Sequence, residues 1–125
     1  MKLISYFCQR LPMDMRRELI YSTEYMEFVD SLSENEQEKM FYAVTVLGTL
    51  KSLSTKFVKK LINTVFYELR VSVLDKELRV VLFPVDSENI NMASQIVMLN
   101  GFVKKSTKDY EKEIRKAVKI LKRVL

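Results

Sequence analysis

The sequence predicts one α+β domain, in which a strand, two helices, three further strands and a last helix follow one another. The chain has 125 residues, the usual length of a single domain. Hydrophobic residues make up 48% of it, with only two Gly and two Pro, so we expect a packed core and short connections. Apolar residues recur at helical spacing in some segments and alternate with polar residues in others.

The N-terminal part contains an extension and the first strand. Residues 1–13 have weak periodicity, and we interpret them either as an N-terminal extension of a single domain that spans residues 1–125 or as residues upstream of a start at Met13 or Met15. The segment RRELIYS, residues 16–22, follows. Its side chains alternate in character, which predicts a short strand.

Two helices are predicted next, as a helical hairpin. Ser22 or Thr23 can cap the first helix. Its apolar residues recur at i, i+3, i+4 and i+7 and form one stripe: Tyr25, Phe28, Val29 and Leu32. Ser33 and Glu36 have the spacing of a capping box and predict the start of the second helix. The apolar residues of this helix are Met40, Phe41, Val44 and Leu47.

The predicted sheet continues with a hairpin and one more strand. Residues 54–61, STKFVKKL, are expected to form a connector of about one helical turn. The segment FYELRVSVL alternates cleanly, and a turn at residues 75–77 leads into LRVVLFPV, which predicts a β-hairpin. After a polar loop, the apolar run that begins at Ile96 predicts the last strand.

The final helix is expected to start near Ser106 or Thr107 and to cover, with the helical hairpin, one side of the sheet. Its predicted buried stripe consists of Tyr110, Ile114, Ala117, Val118 and Leu121. Its open face is basic. Residues 104–125 hold nine of the 21 Lys and Arg residues but only three of the 16 Asp and Glu residues. This asymmetry indicates a polyanion or an acidic protein as partner, although a solvated helix face would look the same.

Composition excludes several classes of chemistry. The chain has no His, which is the commonest general base and metal ligand, and it has no Gly-rich phosphate loop. Its single Cys8 cannot form an internal disulfide, which is typical of a reducing cytoplasm. No segment approaches the length of a membrane span. We therefore expect no metal site, no cofactor and no membrane, and a cytoplasmic location.

Cations remain as the candidate functional groups. Arg70 and Arg79 lie on the two strands of the predicted hairpin, and Lys104 and Lys105 end the last strand. The register of the hairpin decides whether the two arginines share a face, and we predict that they do. For Arg70 taken alone, the ordinary polar face of a sheet is the preferred interpretation.

The order of four segments resembles a known family. KFVKKL, FYELRV, LRVVLF and MLNGFVKKSTK, followed by an amphipathic helix, resemble the HigB-like, phage-derived branch of the RelE/ParE toxins over residues 16–125. The resemblance implies a RelE-like fold and the toxin of a toxin–antitoxin module. Many members cleave mRNA in the ribosomal decoding site, so it also implies a metal-independent, ribosome-dependent endoribonuclease that inhibits translation.

The resemblance also implies site residues. It places catalytic roles on Arg70, Arg79, Lys104 and Lys105, and RNA-binding roles on Lys59, Lys60, Tyr110, Lys108 and Lys112. Tyr110 lies near the position of an aromatic residue that stacks on a base, although its helical spacing also fits a core residue. Glu68 departs from the pattern, because some ribonuclease members have a basic residue there.

Partners follow from the same resemblance. They are a cognate antitoxin of the helix-turn-helix type, the ribosome and mRNA. Two alternatives stay open at the level of sequence. ParE-like relatives inhibit DNA gyrase by protein contact and need no nuclease site. A non-catalytic RNA-binding module would explain the basic C-terminal segment through phosphate contacts alone.

Overall fold

The computed structural model describes residues 16–125, so the predicted extension at residues 1–13 and Cys8 lie outside the described part. The described residues form five strands and three helices. In chain order these are β1 (Glu18–Tyr21), α1 (Thr23–Asp30), α2 (Glu34–Thr49), β2 (Val58–Lys60), β3 (Tyr67–Val73), β4 (Lys76–Pro84), β5 (Gln95–Val103) and α3 (Lys108–Val124). This confirms the predicted α+β fold of a strand, a helical hairpin, further strands and a C-terminal helix.

The five strands form one sheet in the order β1–β5–β4–β3–β2. Strand β4 is antiparallel to both of its neighbours, β3 and β5, and β2 is antiparallel to β3. Strand β1 pairs in parallel with β5, with Glu18 opposite Gln95. The first strand of the domain therefore lies beside the last one, at one edge of the sheet.

Two local predictions were wrong. The expected helical turn in residues 54–61 is instead the edge strand β2, because Val58 is buried and pairs with Leu69 of β3. The turn of the β-hairpin lies at residues 74–75, not at residues 75–77, since Val73 already pairs with Lys76. Leu74 takes a left-handed backbone conformation there, with φ of 53°, and its side chain is exposed.

Helices cover both faces of the sheet, which corrects the expectation that they cover one. The helical hairpin packs on one face through a core that includes Tyr25, Val29, Met40, Leu69, Val71, Val80, Ile96 and Met98. Helix α3 packs on the other face, in a second cluster with Phe66, Val81, Val97, Leu99, Phe102, Ala117 and Ile120. The unbroken apolar run of β5 explains this, because such a strand is buried on both of its sides.

The predicted helix starts are largely as expected. The Ser22 hydroxyl accepts a hydrogen bond from the Tyr25 N–H at the start of α1. Ser33 and Glu36 form the predicted capping box of α2. In α3 the buried face is centred on Ala117 and Ile120, whereas Val118, which was predicted to be buried, is 37% exposed.

Helix α1 requires a glycine on the strand beneath it. The ring of Phe28 lies against the backbone of Gly101 in β5, and a Cβ atom at Gly101 would overlap that ring. Gly101 is therefore explained by the close approach of the helix. Within residues 16–125, no helix combines the length and the apolar character that crossing a membrane would require.

Arg17 joins three separate segments. Its side chain is buried, and its guanidinium donates hydrogen bonds to five backbone carbonyls. These belong to the end of α2, the segment after it and the loop between β4 and β5: Leu47, Leu50, Lys51, Ile90 and Asn91. The guanidinium thus supplies hydrogen-bond donors to backbone carbonyls at a helix end and in two loops, where no strand or helix supplies them.

Replacing Arg17 by methionine should lower the free energy of unfolding by about 3 kcal/mol, because several buried carbonyls lose their donors together. Urea denaturation measures this change. Arg16→Met is the matched control, since Arg16 is exposed, and it should change the same quantity by less than about 0.5 kcal/mol. Equal effects of the two substitutions would contradict the role given to Arg17.

Candidate functional site

The two predicted arginines lie on the same face of the sheet. Arg70 of β3 and Arg79 of β4 are direct cross-strand partners, and residues opposite each other in an antiparallel pair point to the same side. Glu68 lies two residues before Arg70 and therefore points to this side as well. Helix α3 packs on the same face, so the polar groups lie at the border of its apolar contact.

Glu68 is placed between the two arginines. Its Oε1 atom lies 3.4 Å from Nε of Arg70 and 3.8 Å from Nε of Arg79. Glu68 is only 3% exposed, and its Oε2 atom has no hydrogen-bond partner among the described residues. The residue that departs from the family pattern is thus the carboxylate that balances two cations within the sheet.

Arg79 is fully engaged by its neighbours. Its Nε donates to the hydroxyl of Tyr110 at 3.2 Å, and its Nη1 donates to Glu77 at 3.3 Å and to the Leu78 carbonyl at 3.0 Å. The residue is 3% exposed. The resemblance implies a catalytic role for Arg79, and in the structure its Nε and Nη1 atoms are directed to these neighbours rather than to solvent.

Glu77 is a second carboxylate of the site, which the sequence pattern had placed in a turn. It accepts a hydrogen bond from the Ser72 hydroxyl at 2.9 Å in addition to the one from Arg79. These two contacts, the one from Ser72 first, lower the pKa of Glu77. Arg79 therefore lies close to two carboxylates, Glu68 and Glu77.

Tyr110 connects the sheet to the first turn of α3. Its ring packs edge-to-face on Phe102, with ring centroids 5.6 Å apart, and its hydroxyl accepts the hydrogen bond from Arg79. Burial, followed by interaction with Glu68, raises the pKa of Tyr110. The side chain thus combines the predicted core position with a polar contact.

Lys104 and Lys105 lie at the end of β5 but differ in their surroundings. Lys104 is half-buried, and its Nζ lies 5.6 Å from the centroid of the Tyr110 ring, within the range of a cation–π contact. Its backbone N–H donates to the Glu77 carbonyl at 2.8 Å. Lys105 is exposed, and its backbone N–H donates to the carboxylate of Asp109.

The remaining predicted RNA-binding lysines fall in three places. Lys59 is exposed and pairs across β2 and β3 with Glu68, so it borders the site. Lys60 points to the opposite face, where its Nζ lies 5.8 Å from the ring of Tyr67. The structure therefore separates Lys60 from the others. Lys108 and Lys112 are exposed on α3.

We call the assembled group the Glu68 cluster, which consists of Glu68, Arg70, Glu77, Arg79, Lys104 and Tyr110. Its buried part holds Arg79, and its open rim offers the guanidinium of Arg70, whose side chain is 31% exposed, and the ammonium of Lys104. Such a rim can bind a phosphate through a planar fork and a point charge. Across residues 16–125, no three acidic or Cys side chains are grouped so that they could hold a metal ion.

The comparisons with known proteins give one match. The family model described as "Phage derived protein Gp49-like (DUF891)" matches residues 27–122. This range includes every residue of the Glu68 cluster, whereas β1 lies before it. Comparisons with curated proteins and with solved structures give no significant match.

Removing Arg79 alone should be more harmful than removing it together with the charge of Glu68. We expect Arg79→Met to lower the free energy of unfolding by about 3 kcal/mol, since Glu68 then stays buried without its partner. The double variant Glu68→Gln/Arg79→Met should recover at least half of this decrease, as measured by urea denaturation. Arg115→Met removes an exposed ion pair with Glu111 and serves as control, with an expected change below about 0.5 kcal/mol. A double variant that is as unstable as Arg79→Met would argue against coupling between Glu68 and Arg79.

Asp109 should make stability depend on acid pH. The backbone N–H groups of Lys105 and Ser106 donate to its carboxylate and lower its pKa. A lowered pKa stabilises the fold above the unfolded value of about 3.9, and this contribution is lost as pH falls through the folded value. The urea midpoint of Asp109→Asn should therefore lie below that of the parent chain at neutral pH and approach it as pH falls below about 4. A difference between the two urea midpoints that stays constant with pH would exclude this effect.

Proposed function

The chain belongs to the Gp49-like family of phage-derived proteins, and from this premise we propose that it is a RelE-like toxin of a toxin–antitoxin module. Its activity would be ribosome-dependent cleavage of mRNA, which inhibits translation. The observation that carries the proposal is the rim of the Glu68 cluster, where Arg70 and Lys104 are both tied to a buried network on one face of the sheet.

The proposed reaction is transfer of a phosphoryl group to the neighbouring 2′ oxygen. The 2′-OH loses its proton, the bond from the 2′ oxygen to phosphorus forms, and the bond from phosphorus to the 5′ oxygen breaks. The 5′ oxygen then receives a proton and leaves. Such a reaction needs stabilisation of charge on the phosphoryl oxygens and groups that exchange protons on either side of phosphorus.

The exposure of each side chain supports a division of roles. Arg70, which is partly exposed, would bind the phosphoryl oxygens through its planar fork. Lys104 and Lys105, at the end of β5, would exchange protons with the 2′ and 5′ oxygens. Arg79 would be a positioning residue, because its contacts with Glu68, Glu77 and Tyr110 fix the rim. The ribosome would hold the mRNA in a reactive conformation, which lowers the demand on the side chains themselves.

Partners follow from the proposed role. A cognate antitoxin, which we propose is a small helix-turn-helix protein, would cover the rim of the Glu68 cluster and so block access to the scissile phosphate. It would bring negative charge to Arg70 and Lys104, because the buried carboxylates leave these two cations at the open side of the cluster.

The test is cleavage of mRNA by the Arg70→Ala variant in a translating extract, read by mapping the new RNA ends. Removal of one phosphate-binding fork should reduce the rate by about a hundredfold or more, since one preorganised donor at developing charge contributes that much. Arg70→Lys should retain a part of the activity, because it keeps the charge without the fork. Arg16→Ala, which replaces an exposed arginine outside both the Glu68 cluster and α3, is the matched control and should cleave at the parental rate.

Circular dichroism must show that each variant is folded. Codon-phased RNA ends that disappear in Arg70→Ala would support the proposal, whereas undiminished cleavage by this variant would refute the assigned role. Damage to DNA without such ends would instead indicate inhibition of gyrase. Binding of RNA with neither effect would indicate a non-catalytic module.

A further inference from the structure

Helix α3 carries a straight row of cations away from the Glu68 cluster. Its members, which we call the basic stripe, are Lys108, Lys112, Arg115, Lys119 and Lys122. They recur at i, i+4, i+7, i+11 and i+14, the spacing that keeps side chains on one side of a helix. All five are exposed, and with a rise of 1.5 Å per residue the row extends over about 21 Å.

The cations of the stripe are mostly free of carboxylates, whereas those beside it are not. Lys116 lies 3.4 Å from Glu113, and Arg123 lies 2.7 Å from Glu24. Of the stripe, Arg115 pairs with Glu111 at 3.1 Å, and the four lysines form no ion pair with any residue in the range 16–125. Lys112 is close enough to Asp109 to contribute to the lowered pKa of that carboxyl, but the five cations of the stripe outnumber the carboxylates that act on them, and the stripe stays positive.

The position of Lys108 gives a second, independent indication. It is the first residue of α3, where the helix dipole is positive and disfavours a cation. A lysine there is unfavourable for the isolated helix and becomes favourable when an anion binds close to the helix start.

The stripe is held rigidly against the sheet. The opposite side of α3 is buried through Ala117 and Ile120. Asn100 of β5 donates to the Glu113 side chain at 2.9 Å and to its backbone carbonyl at 3.1 Å, while Arg123 fixes the end of the helix to Glu24. A rigid row of charges loses little conformational freedom on binding.

We infer that the basic stripe binds the phosphate backbone of duplex RNA, at a surface separate from the cluster that would act on mRNA. This inference rests on the proposed function, because a toxin that works on the ribosome meets structured RNA around its substrate. The four lysines favour RNA over an acidic protein. Lysine is depleted at the centre of protein–protein interfaces, and such a centre is rich in apolar residues, which the stripe itself does not contain.

The affinity of the purified chain for a labelled short RNA duplex, measured by fluorescence anisotropy at several salt concentrations, tests the inference. We compare the triple variant Lys108→Gln/Lys112→Gln/Lys119→Gln with the parent chain. Each phosphate that the variant no longer neutralises should reduce the slope of log affinity against log salt by about 0.7 to 0.9, so a change of about 2 to 3 is expected. Affinity at low salt should fall at least about tenfold.

The matched control removes the same number of charges elsewhere. Lys39, Lys51 and Lys56 are exposed and lie outside α3, and the triple variant Lys39→Gln/Lys51→Gln/Lys56→Gln should keep the parental slope. An equal decrease in both triple variants would show that only net charge matters and would overturn the inference. An unchanged slope in the stripe variant would overturn it too, as would tighter binding of polyglutamate than of the RNA duplex.

One more variant separates this inference from the proposed function. Arg70→Ala removes one cation outside the stripe, so it should change the salt slope by no more than about 0.9, against about 2 to 3 for the stripe variant. If that variant still cleaves mRNA while the stripe variant has the reduced salt slope, the assigned cleavage site fails and the RNA-binding stripe stands. If Arg70→Ala does not cleave mRNA and the stripe variant keeps the parental salt slope, the assigned cleavage site stands and the RNA-binding stripe fails.

Discussion

The register between β3 and β4 places two guanidinium groups directly opposite each other near the middle of the sheet, and the rest of the arrangement depends on how this charge is compensated. Like charges in direct cross-strand contact destabilise a sheet. Arg70 and Arg79 are tolerated because Glu68 lies between them on the same face. The Tyr110 hydroxyl, in the first turn of α3, accepts a hydrogen bond from Arg79. This contact between strand and helix fixes the start of α3 on the sheet.

Burial divides the cations into two kinds. A buried cation with several partners, such as Arg79, is a rigid support, since desolvation makes the removal of any partner costly. A partly exposed cation such as Arg70 or Lys104 keeps access to solvent and so to a phosphate. The family resemblance treats these residues alike, because a motif records residue type and order but not exposure. Their positions in the fold give them different access to solvent.

Most of the fold could be predicted from the sequence, because its main elements carry strong local signals. The capping box at Ser33 and Glu36 and the alternation of β3 are contained within a few residues. Strand β2 was missed, since three residues are too few for a clear period, and its identity depends on pairing with β3. The apolar run of β5 indicates that helices cover both faces of the sheet, although we had predicted helices on one face alone.

The site was less predictable, because its geometry comes from contacts distant in sequence. Arg70 and Arg79 were correctly predicted to share one face, although the turn of the hairpin was misplaced and their direct cross-strand pairing was not predicted. The engagement of Arg79 by Tyr110 crosses 31 positions of the chain, and no local pattern indicates it. Arg17 is a stronger case, as its bonds to the loop before β5 cross 73 and 74 positions. Glu68 was identified only as a departure from the family pattern, whereas its partners show it to be a counter-ion to two arginines.

The parallel pairing of β1 with β5 has a consequence for how the chain assembles. Glu18 and its partner Gln95 are separated by 77 positions, so the first strand to be synthesised cannot find its place until almost the whole domain has been made. The neighbouring strands β3, β4 and β5 are successive along the chain and can form beforehand. Closing so large a loop is entropically slow, and the edge of β5 that β1 covers therefore stays open until late in folding. In the proposed role as a toxin, such a delay would postpone the finished molecule until its synthesis is nearly complete.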